Sequence, residues 1–338
     1  MVRTENFTHE DLTALIKERG QKVLNKFGQV AVSGVSDPKL LEVLHFVKDY
    51  WKDNFRPAFA SFCCEAVGGK LEAAEDVSLM ITLTSAGGGI HDDIIDKSSH
   101  KHFRKTVLGQ YGLDYALLVG DLLIIKGWAM AQELIRRNFQ PEKLVKIIEV
   151  FGCWTADVCE AEFMEISCRQ NLETELEQYQ HILCKSMADT QACAKLGALI
   201  GGGSRNTIQA LAAFGNRLGF MYRLTDDLRD TLNVELNLSD RLQYESVPLP
   251  ILYAAKTSLK NKSLIKKIIE KSAENTPDFE KLLKICFKSK AFDYVLNKAK
   301  QTTREALENL DLFTPSTPKD VLGFMIKDSL VEISNLAK

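Results

Sequence analysis

Apolar residues recur at the i, i+3, i+4 spacing of amphipathic α-helices along most of the 338-residue chain, and only eight prolines interrupt the pattern. No series of segments shows the alternation that is typical of β-strands. The pattern predicts helices at about 8–27, 38–55, 57–67, 71–96, 112–137, 141–168, 172–200, 207–232 and 248–256, and a charged helical group after residue 263. The sequence therefore predicts an all-α fold.

The chain contains no Pro/Gly/Ser-rich linker and no low-complexity tract that would divide it. Short breaks at 68–70, 201–204 and 314–318 are typical of turns between helices. We therefore expect residues 1–338 to form a single domain. The net charge of −2 argues against binding to nucleic acid, because nucleic-acid interfaces are usually basic.

Three observations favour a cytoplasmic location. The N-terminal stretch MVRTENFTHEDL has no apolar core of the kind found in signal peptides. The most apolar segment, ALLVGDLLIIKGWAMA, contains Asp121 and Lys126, so we expect no membrane span. The eight cysteines show no Cys-x-x-Cys pair with zinc spacing. We interpret them as small hydrophobic core residues that form no disulfides, as expected for a protein in a reducing compartment.

Two acidic clusters share the pattern Asp-Asp-x-x-Asp. The first aspartate cluster is Asp92, Asp93 and Asp96, and the second aspartate cluster is Asp226, Asp227 and Asp230. Residues four apart lie on one face of a helix, so each cluster projects its carboxylates to one side. Such carboxylates repel one another unless cations lie between them, and oxygen ligands suit Mg²⁺ with a phosphate-bearing substrate. The clusters predict a bridge of carboxylate, metal and phosphate.

A solvated helix face is the alternative interpretation of each cluster. It fits poorly, because the apolar segment ITLTSAGGGI precedes the first cluster and RLGFMYRLT precedes the second. Two such clusters on core helices also suit the departure of pyrophosphate, whose negative charges must be neutralised together.

With these motifs the chain resembles the trans-isoprenyl diphosphate synthases, also called the polyprenyl synthetase family. The two clusters have the family's order and separation, and the likeness runs from FRP at 55–57 to PLPILYA at 248–254. The segment GLDYALLVGDLLI at 112–124 resembles the helix after the first motif, and Lys185-Ser186 matches the family's Lys-Thr. The resemblance implies an isoprenoid synthase-type helical bundle around a deep central cavity, usually in a homodimer.

The resemblance also implies a prenyltransferase that joins isopentenyl diphosphate head-to-tail to an allylic diphosphate. The six aspartates would hold Mg²⁺, with three ions when substrate is bound, while Lys185 and Lys101 add positive charge. The allylic carbon–oxygen bond ionises, the double bond of isopentenyl diphosphate attacks the cation, and the released pyrophosphate takes the proton. An apolar cavity would exclude the water that quenches the cation.

The chain departs from the family where isopentenyl diphosphate binds. The family's Gly-Lys-x-x-Arg-Pro is replaced by KDNFRP at 52–57, which keeps Arg56, puts Asp53 at the lysine position and leaves Lys52 as a substitute. Ser85 replaces a histidine, and Lys101-His102 replaces Arg-Arg.

Two further departures lie near the second aspartate cluster. Arg223 replaces a glutamine, and the lysine expected before the Leu-Pro at 249–250 is missing from ESVPLP. The resemblance assigns substrate binding to Arg56, Lys52, Ser85, Lys101, His102, Ser186 and Arg223. A solvated surface role is the alternative for each basic residue taken alone.

The glycines at 87–89 cost the helix about 1 kcal/mol each relative to alanine. In the family, the wall upstream of the first motif limits the length of the product. Here Gly88 and Gly87 form that wall, Thr84 follows one turn deeper, and Ile81 is among the first sizeable side chains. This predicts a product of twenty carbons, geranylgeranyl diphosphate, or longer. Close packing against a neighbouring helix is the alternative role of these glycines.

Two other functions remain open from the sequence. A terpene synthase-like enzyme would ionise the allylic diphosphate but use another acceptor or cyclise the cation. Such cyclases usually carry an Asn/Ser/Glu motif in place of the second Asp-Asp-x-x-Asp, which this chain retains. A regulatory subunit of a heteromeric synthase typically loses one metal motif, and both motifs are present here.

Overall fold

The computed structural model describes residues 7–101, 104–136, 140–233, 238–272 and 278–338. Its regular elements, in chain order, are α1 (His9–Val32), α2 (Pro38–Tyr50), α3 (Phe55–Ala66), a 3₁₀ turn (Leu71–Ala74), α4 (Glu75–Ile95), β1 (His100–Lys101), β2 (Arg104–Lys105), α5 (Val107–Tyr111), α6 (Leu113–Ala129), α7 (Ala131–Arg136), α8 (Pro141–Ser167), α9 (Leu176–Ser186), α10 (Ala188–Ile200), α11 (Arg205–Leu232), α12 (Leu238–Tyr244), α13 (Leu249–Lys256), α14 (Leu259–Ser272), α15 (Phe279–Lys288), α16 (Ala291–Leu310) and α17 (Thr317–Leu336). The prediction of an all-α fold is confirmed.

The helix starts follow local capping chemistry. Thr8 caps α1, because its side chain accepts a hydrogen bond from the Asp11 N–H and the Asp11 side chain accepts one from the Thr8 N–H. Asp37 caps α2 in the same position, and Pro38 at the first helical residue has the fixed φ that suits a helix start.

Several predicted boundaries differ from the observed ones. Helix α2 ends at Tyr50, where the backbone of Trp51 is extended, and the Asp53 side chain accepts hydrogen bonds from the Phe55 and Arg56 N–H groups at the start of α3. The predicted helix at 112–137 is divided near Met130, and the one at 172–200 begins at 176 and is divided at Met187. The hairpin of β1 and β2, which pairs Lys101 with Arg104, was not predicted because two-residue strands show no alternation.

The chain forms two compact units. Unit 1 comprises Met1–Cys153, Ala192–Ala212 and Leu312–Leu322, and unit 2 comprises Trp154–Gln191, Ala213–Asp311 and Gly323–Lys338. That residues 1–338 act as a single domain stays a prediction.

Unit 1 contains the first aspartate cluster. Helix α4 packs against α1, α3 and α6. Its apolar residues Leu79, Leu83 and Ile90 are buried in a core with Phe27 and Leu123. The core side of α4 is thus fixed by burial of large side chains, and its C-terminal end carries the carboxylates.

Unit 2 contains the second aspartate cluster, near the C-terminal end of α11. Helix α13 packs against α9, α14, α15 and α16. The fully buried side chains of this unit include Ile182, Leu228 and Ile251. Among these apolar residues lies a group of buried charged side chains.

Candidate active site

Helix α4 places the first aspartate cluster at its C-terminal end. The Asp92 side chain is 45% exposed, whereas that of Asp93 is 3% exposed. Asp96 caps the helix and is partly exposed. The three carboxylates therefore have unequal access to solvent.

The β1–β2 hairpin brings Lys101 onto this cluster. Its Nζ lies 3.0 Å from Asp92 Oδ2 and 2.7 Å from Asp93 Oδ1. Burial alone would lower the pKa of Lys101, but the charges of Asp92 and Asp93 raise it above its usual value. Lys101 is thus a fixed cation beside the first aspartate cluster. His102, the other residue predicted here, lies outside the described residues.

One face of α4 lies directly against α6. A Cβ on Gly87 would lie 2.5 Å from the Gly120 carbonyl oxygen, and a Cβ on Gly127 would lie 2.1 Å from Thr84 Oγ1. Gly87 and Thr84 are both buried. For these two residues the geometry matches the alternative of close helix packing, since there is no room for a side chain at Gly87.

The adjacent face of α4 leads from Asp92 through Gly88 and Ser85 to Ile81. A Cβ on Gly88 would have no described heavy atom within 4 Å. Ser85 Oγ is buried and has no hydrogen-bond partner among the described residues. Ile81 is fully buried. Gly88, and not Gly87, is therefore the glycine with open space beside it.

On the predicted isopentenyl diphosphate side, the retained arginine is already paired. Arg56 Nη1 lies 2.6 Å from Oδ2 of Asp53, the residue at the position of the family's lysine. Lys52 is exposed. The departure from the family pattern thus both removes a cation and neutralises part of the charge of Arg56.

In unit 2, the first two aspartates of the second cluster differ most in burial. The Asp226 side chain is 51% exposed, and Arg229 Nη1 lies 3.9 Å from its Oδ1. Asp227 is fully buried. The Asp230 side chain is 19% exposed.

Both carboxylate oxygens of Asp227 are occupied. Tyr179 Oη lies 3.1 Å from each oxygen, the Leu249 N–H donates to Oδ2 at 2.8 Å, and Arg241 Nη2 donates to Oδ1 at 3.2 Å. Burial raises the pKa of Asp227 to about 6, although the charges of Arg241 and Arg223 oppose the rise. Asp227 is engaged within the protein.

Arg223 belongs to the same buried group. Its Nη2 donates to Glu165 Oε1 at 3.1 Å, and Ser246 Oγ donates to the same oxygen at 2.5 Å. Burial would raise the pKa of Glu165, but the charges of Arg223 and Arg241 lower it overall. We call Glu165, Tyr179, Arg223, Asp227, Arg241 and Ser246 the buried network.

Lys185 is held by two carboxylates of α8. Its Nζ lies 2.8 Å from Glu160 Oε2 and 3.0 Å from Asp157 Oδ1. Both hydrogen bonds raise the pKa of Lys185, and the one to Glu160 contributes most. Ser186 Oγ donates to the Leu183 carbonyl oxygen at 3.0 Å, so its hydroxyl is bonded within α9.

The residues that contact the predicted site and were missed in the sequence include Asp157, Glu160, Glu165, Tyr179 and Arg241. The first three are acidic residues on one apolar-patterned helix, α8, which is the signal that the sequence offered. Arg241 lies on α12, beyond the motifs, and its position shows no such signal.

The residues of each aspartate cluster fit magnesium that is held jointly with substrate. Within the ranges described above, no three His, Cys, Asp or Glu side chains converge as a ready metal site. Magnesium usually keeps several waters and binds through one or two carboxylates together with substrate phosphates, so a complete protein cage is not required. Asp92 and Asp226 present half-exposed carboxylates of the required chemistry.

No helix in the described part of the chain is both long and apolar enough to cross a membrane.

The chain is similar in sequence to known prenyl diphosphate synthases. The family model described as "Polyprenyl synthetase" matches residues 42–286. A short chain isoprenyl diphosphate synthase of Methanothermobacter thermautotrophicus is 26% identical over 323 residues, which is 92% of this chain and 97% of the relative. A geranylgeranyl diphosphate synthase of Sulfolobus acidocaldarius is 24% identical over 318 residues, which is 90% and 94% of the two chains.

Solved structures share the fold. A geranylgeranyl pyrophosphate synthetase from Pyrococcus horikoshii superposes with a TM-score of 0.82 at 23% identity, covering 95% of this chain and 98% of that one. A decaprenyl diphosphate synthase from Rhodobacter capsulatus gives a TM-score of 0.84 at 20% identity, covering 96% and 99%. The fold is that of the all-α isoprenoid synthases. The chain belongs to the polyprenyl synthetase family.

Proposed function

We propose that this protein is a trans-prenyltransferase that condenses isopentenyl diphosphate head-to-tail with an allylic diphosphate. One observation carries the proposal: the chain belongs to the polyprenyl synthetase family and has both Asp-Asp-x-x-Asp clusters. Each cluster begins with a half-exposed carboxylate, Asp92 or Asp226. Its relatives are named as synthases of several prenyl diphosphates, which supports the same reaction class.

The chemistry requires positive charge opposite the leaving diphosphate. Asp92 and Asp226 would hold Mg²⁺, with Asp96 and Asp230 as further ligands, and we propose three ions when substrate is bound. When bound, Mg²⁺ supplies the positive charge that offsets the charge growing on the leaving group. Asp93 and Asp227, both buried, support their clusters.

Two lysines add fixed positive charge. Lys101 lies between Asp92 and Asp93, and Lys185 lies between Glu160 and Asp157. As the allylic carbon–oxygen bond ionises, negative charge on the diphosphate oxygens increases. A cation already in place therefore stabilises the transition state more than it stabilises the bound substrate. The double bond of isopentenyl diphosphate then attacks the allylic cation, and pyrophosphate takes the proton that is lost.

A different acceptor is the second candidate, and one observation favours it. The Arg56 guanidinium is paired with Asp53, so the predicted isopentenyl diphosphate side, which also includes Lys52 and Ser85, carries less free positive charge than the family pattern. An enzyme that cyclises the allylic cation would release pyrophosphate without isopentenyl diphosphate. Incubation with the allylic diphosphate alone tests this candidate, and incubation with both substrates tests the first.

We propose that the product has twenty carbons or more. Gly88 leaves open space on the face of α4 that follows from Asp92, and the first large side chain along this face is Ile81. Gly87 and Thr84, which the sequence also placed in the chain-length wall, lie against α6. Relatives named as geranylgeranyl and octaprenyl diphosphate synthases support a product in this range.

We also propose a homodimer in the cytoplasm. Helix α6 exposes large apolar side chains that a monomer would leave in water: Leu113, Leu117, Leu118 and Ile125 are 53%, 46%, 64% and 63% exposed. A second copy of the chain that covered this face would bury them. Sedimentation of the protein and of Leu118→Asp tests the proposal, because the charge should shift the wild-type dimer toward monomer.

A further inference from the structure

Arg241 is the most connected side chain of the buried network. It lies on α12, and its side chain is 5% exposed. Besides Asp227, its guanidinium pairs with Glu245, and its Nη2 lies 3.7 Å from Glu165 Oε1. Its Nε lies 3.9 Å from Asp230 Oδ2, and its Nη2 donates to Tyr179 Oη at 3.3 Å. One guanidinium thus reaches two aspartates of the second cluster.

The guanidinium is too buried to reach a diphosphate. An arginine that binds phosphate presents its fork of donors to the ligand, whereas this one is enclosed by protein carboxylates and hydroxyls. Its contacts point to a role through its partners. Asp227 lies between Asp226 and Asp230 on α11, so a fixed Asp227 carboxylate also restricts the direction of its two neighbours.

We propose that Arg241 is a positioning residue for the second aspartate cluster. It holds Asp227 in place and partly neutralises Asp230, so that Asp226 and Asp230 are aimed for magnesium binding before substrate arrives. This inference rests on the proposed function. It assigns a role to a residue outside both motifs, and it makes magnesium binding depend on α12.

The test uses Arg241→Gln, Arg241→Lys and the control Arg217→Gln. Arg217 lies on α11, about two and a half turns before the cluster, and is also in an ion pair, with Glu305 at 3.3 Å. The first readout is independent of turnover: the Mg²⁺ concentration that gives half of the rise in melting temperature in the presence of inorganic pyrophosphate. The second readout is the Mg²⁺ concentration for half-maximal turnover, measured with the KM for each substrate.

We expect Arg241→Gln to raise both Mg²⁺ concentrations by about 10-fold or more, the effect seen when a supporting partner of a metal ligand is removed. Arg241→Lys should give Mg²⁺ concentrations between those of Arg241→Gln and wild type, because lysine keeps the charge but loses the planar fork of donors. Arg217→Gln should leave both Mg²⁺ concentrations unchanged. If Arg241→Gln fails to fold, Arg241→Lys carries the comparison.

Two outcomes would overturn the proposal. A lower melting temperature with an unchanged Mg²⁺ requirement would mean that Arg241 only stabilises the fold. A higher KM for the allylic diphosphate at an unchanged Mg²⁺ requirement would mean that it contacts the substrate. A wild-type protein that makes no product would overturn the proposed function instead, and the melting experiment with pyrophosphate would still test Arg241.

Discussion

Asp226 and Asp227 are consecutive residues of α11, yet one carboxylate is half exposed and the other is completely buried. Asp227 has both oxygens occupied by Tyr179, Leu249 and Arg241, whereas Asp226 makes one long ion pair, with Arg229 at 3.9 Å. The two halves of the Asp-Asp pair therefore have different physical tasks. We propose that the exposed aspartate binds the metal and that the buried one fixes this part of α11.

The first prediction separates these tasks. Asp227→Ala should lower the free energy of unfolding by about 3 kcal/mol or more, because it removes the buried carboxylate that pairs with Arg241 and accepts hydrogen bonds from Tyr179 and the Leu249 N–H. Asp226→Ala should leave stability nearly unchanged and lower kcat by orders of magnitude, because it removes a metal ligand. Denaturant unfolding and steady-state kinetics of both variants check this. Equal losses of stability would contradict the division.

The second prediction concerns two departures from the family pattern that share one partner. Arg223 and Ser246 both bond to Glu165 Oε1. Arg223→Gln and Glu165→Gln should each destabilise the protein, because each removes one partner of a buried ion pair.

The double variant Glu165→Gln/Arg223→Gln should recover most of that loss, since two amides form a neutral hydrogen-bonded pair. A double-mutant cycle by thermal unfolding measures the coupling, which we expect to be about 1–3 kcal/mol. If Arg223 instead bound the diphosphate, as the sequence predicted, the KM of the double variant would stay as high as that of Arg223→Gln alone.

The third prediction uses the two glycines of α4. Gly88→Phe should retain activity and shorten the product toward farnesyl diphosphate, because its side chain enters open space on the face that follows from Asp92. Gly87→Ala should cost about 1–3 kcal/mol in stability without that change in product, because its Cβ would lie 2.5 Å from a backbone oxygen of α6. Product chromatography and thermal unfolding separate the two effects. If a folded, active Gly88→Phe variant gave an unchanged product, Gly88 would not belong to the wall that limits product length.

The fourth prediction concerns Lys185. Lys185→Ala should lower kcat more than it raises the KM of the allylic diphosphate, because charge on the leaving group grows during ionisation. Lys256→Ala is the matched control, since Lys256 also pairs with a carboxylate, that of Glu175 at 3.0 Å. A raised KM with unchanged kcat for Lys185→Ala would mean that the lysine acts only in binding.

Local physics explains which parts of the fold were predictable. Helices with 3.6-residue periodicity appear in the regions that the sequence predicts, and the capping residues Thr8 and Asp37 set where α1 and α2 begin. The break at Met187 was missed because apolar spacing continues through it, and the short hairpin around Lys101 has no periodic signal.

The buried network was not predictable for a different reason. Its members come from α8, α9, α11, α12 and the segment before α13, and contacts such as that of Glu165 with Ser246 join residues far apart in sequence. The motif located Asp227 but gave no information on its burial. Likewise, the sequence left two roles open for the glycines, and only the distance from Gly87 to α6 separated them.

The central claim is head-to-tail condensation. The most direct measurement incubates the purified protein with Mg²⁺, labelled isopentenyl diphosphate and farnesyl diphosphate, and follows prenyl diphosphate chain length and pyrophosphate release. We predict labelled products of twenty carbons or more, with one pyrophosphate released for each isopentenyl unit added. Pyrophosphate release without incorporation of label, or no release at all, would contradict the account.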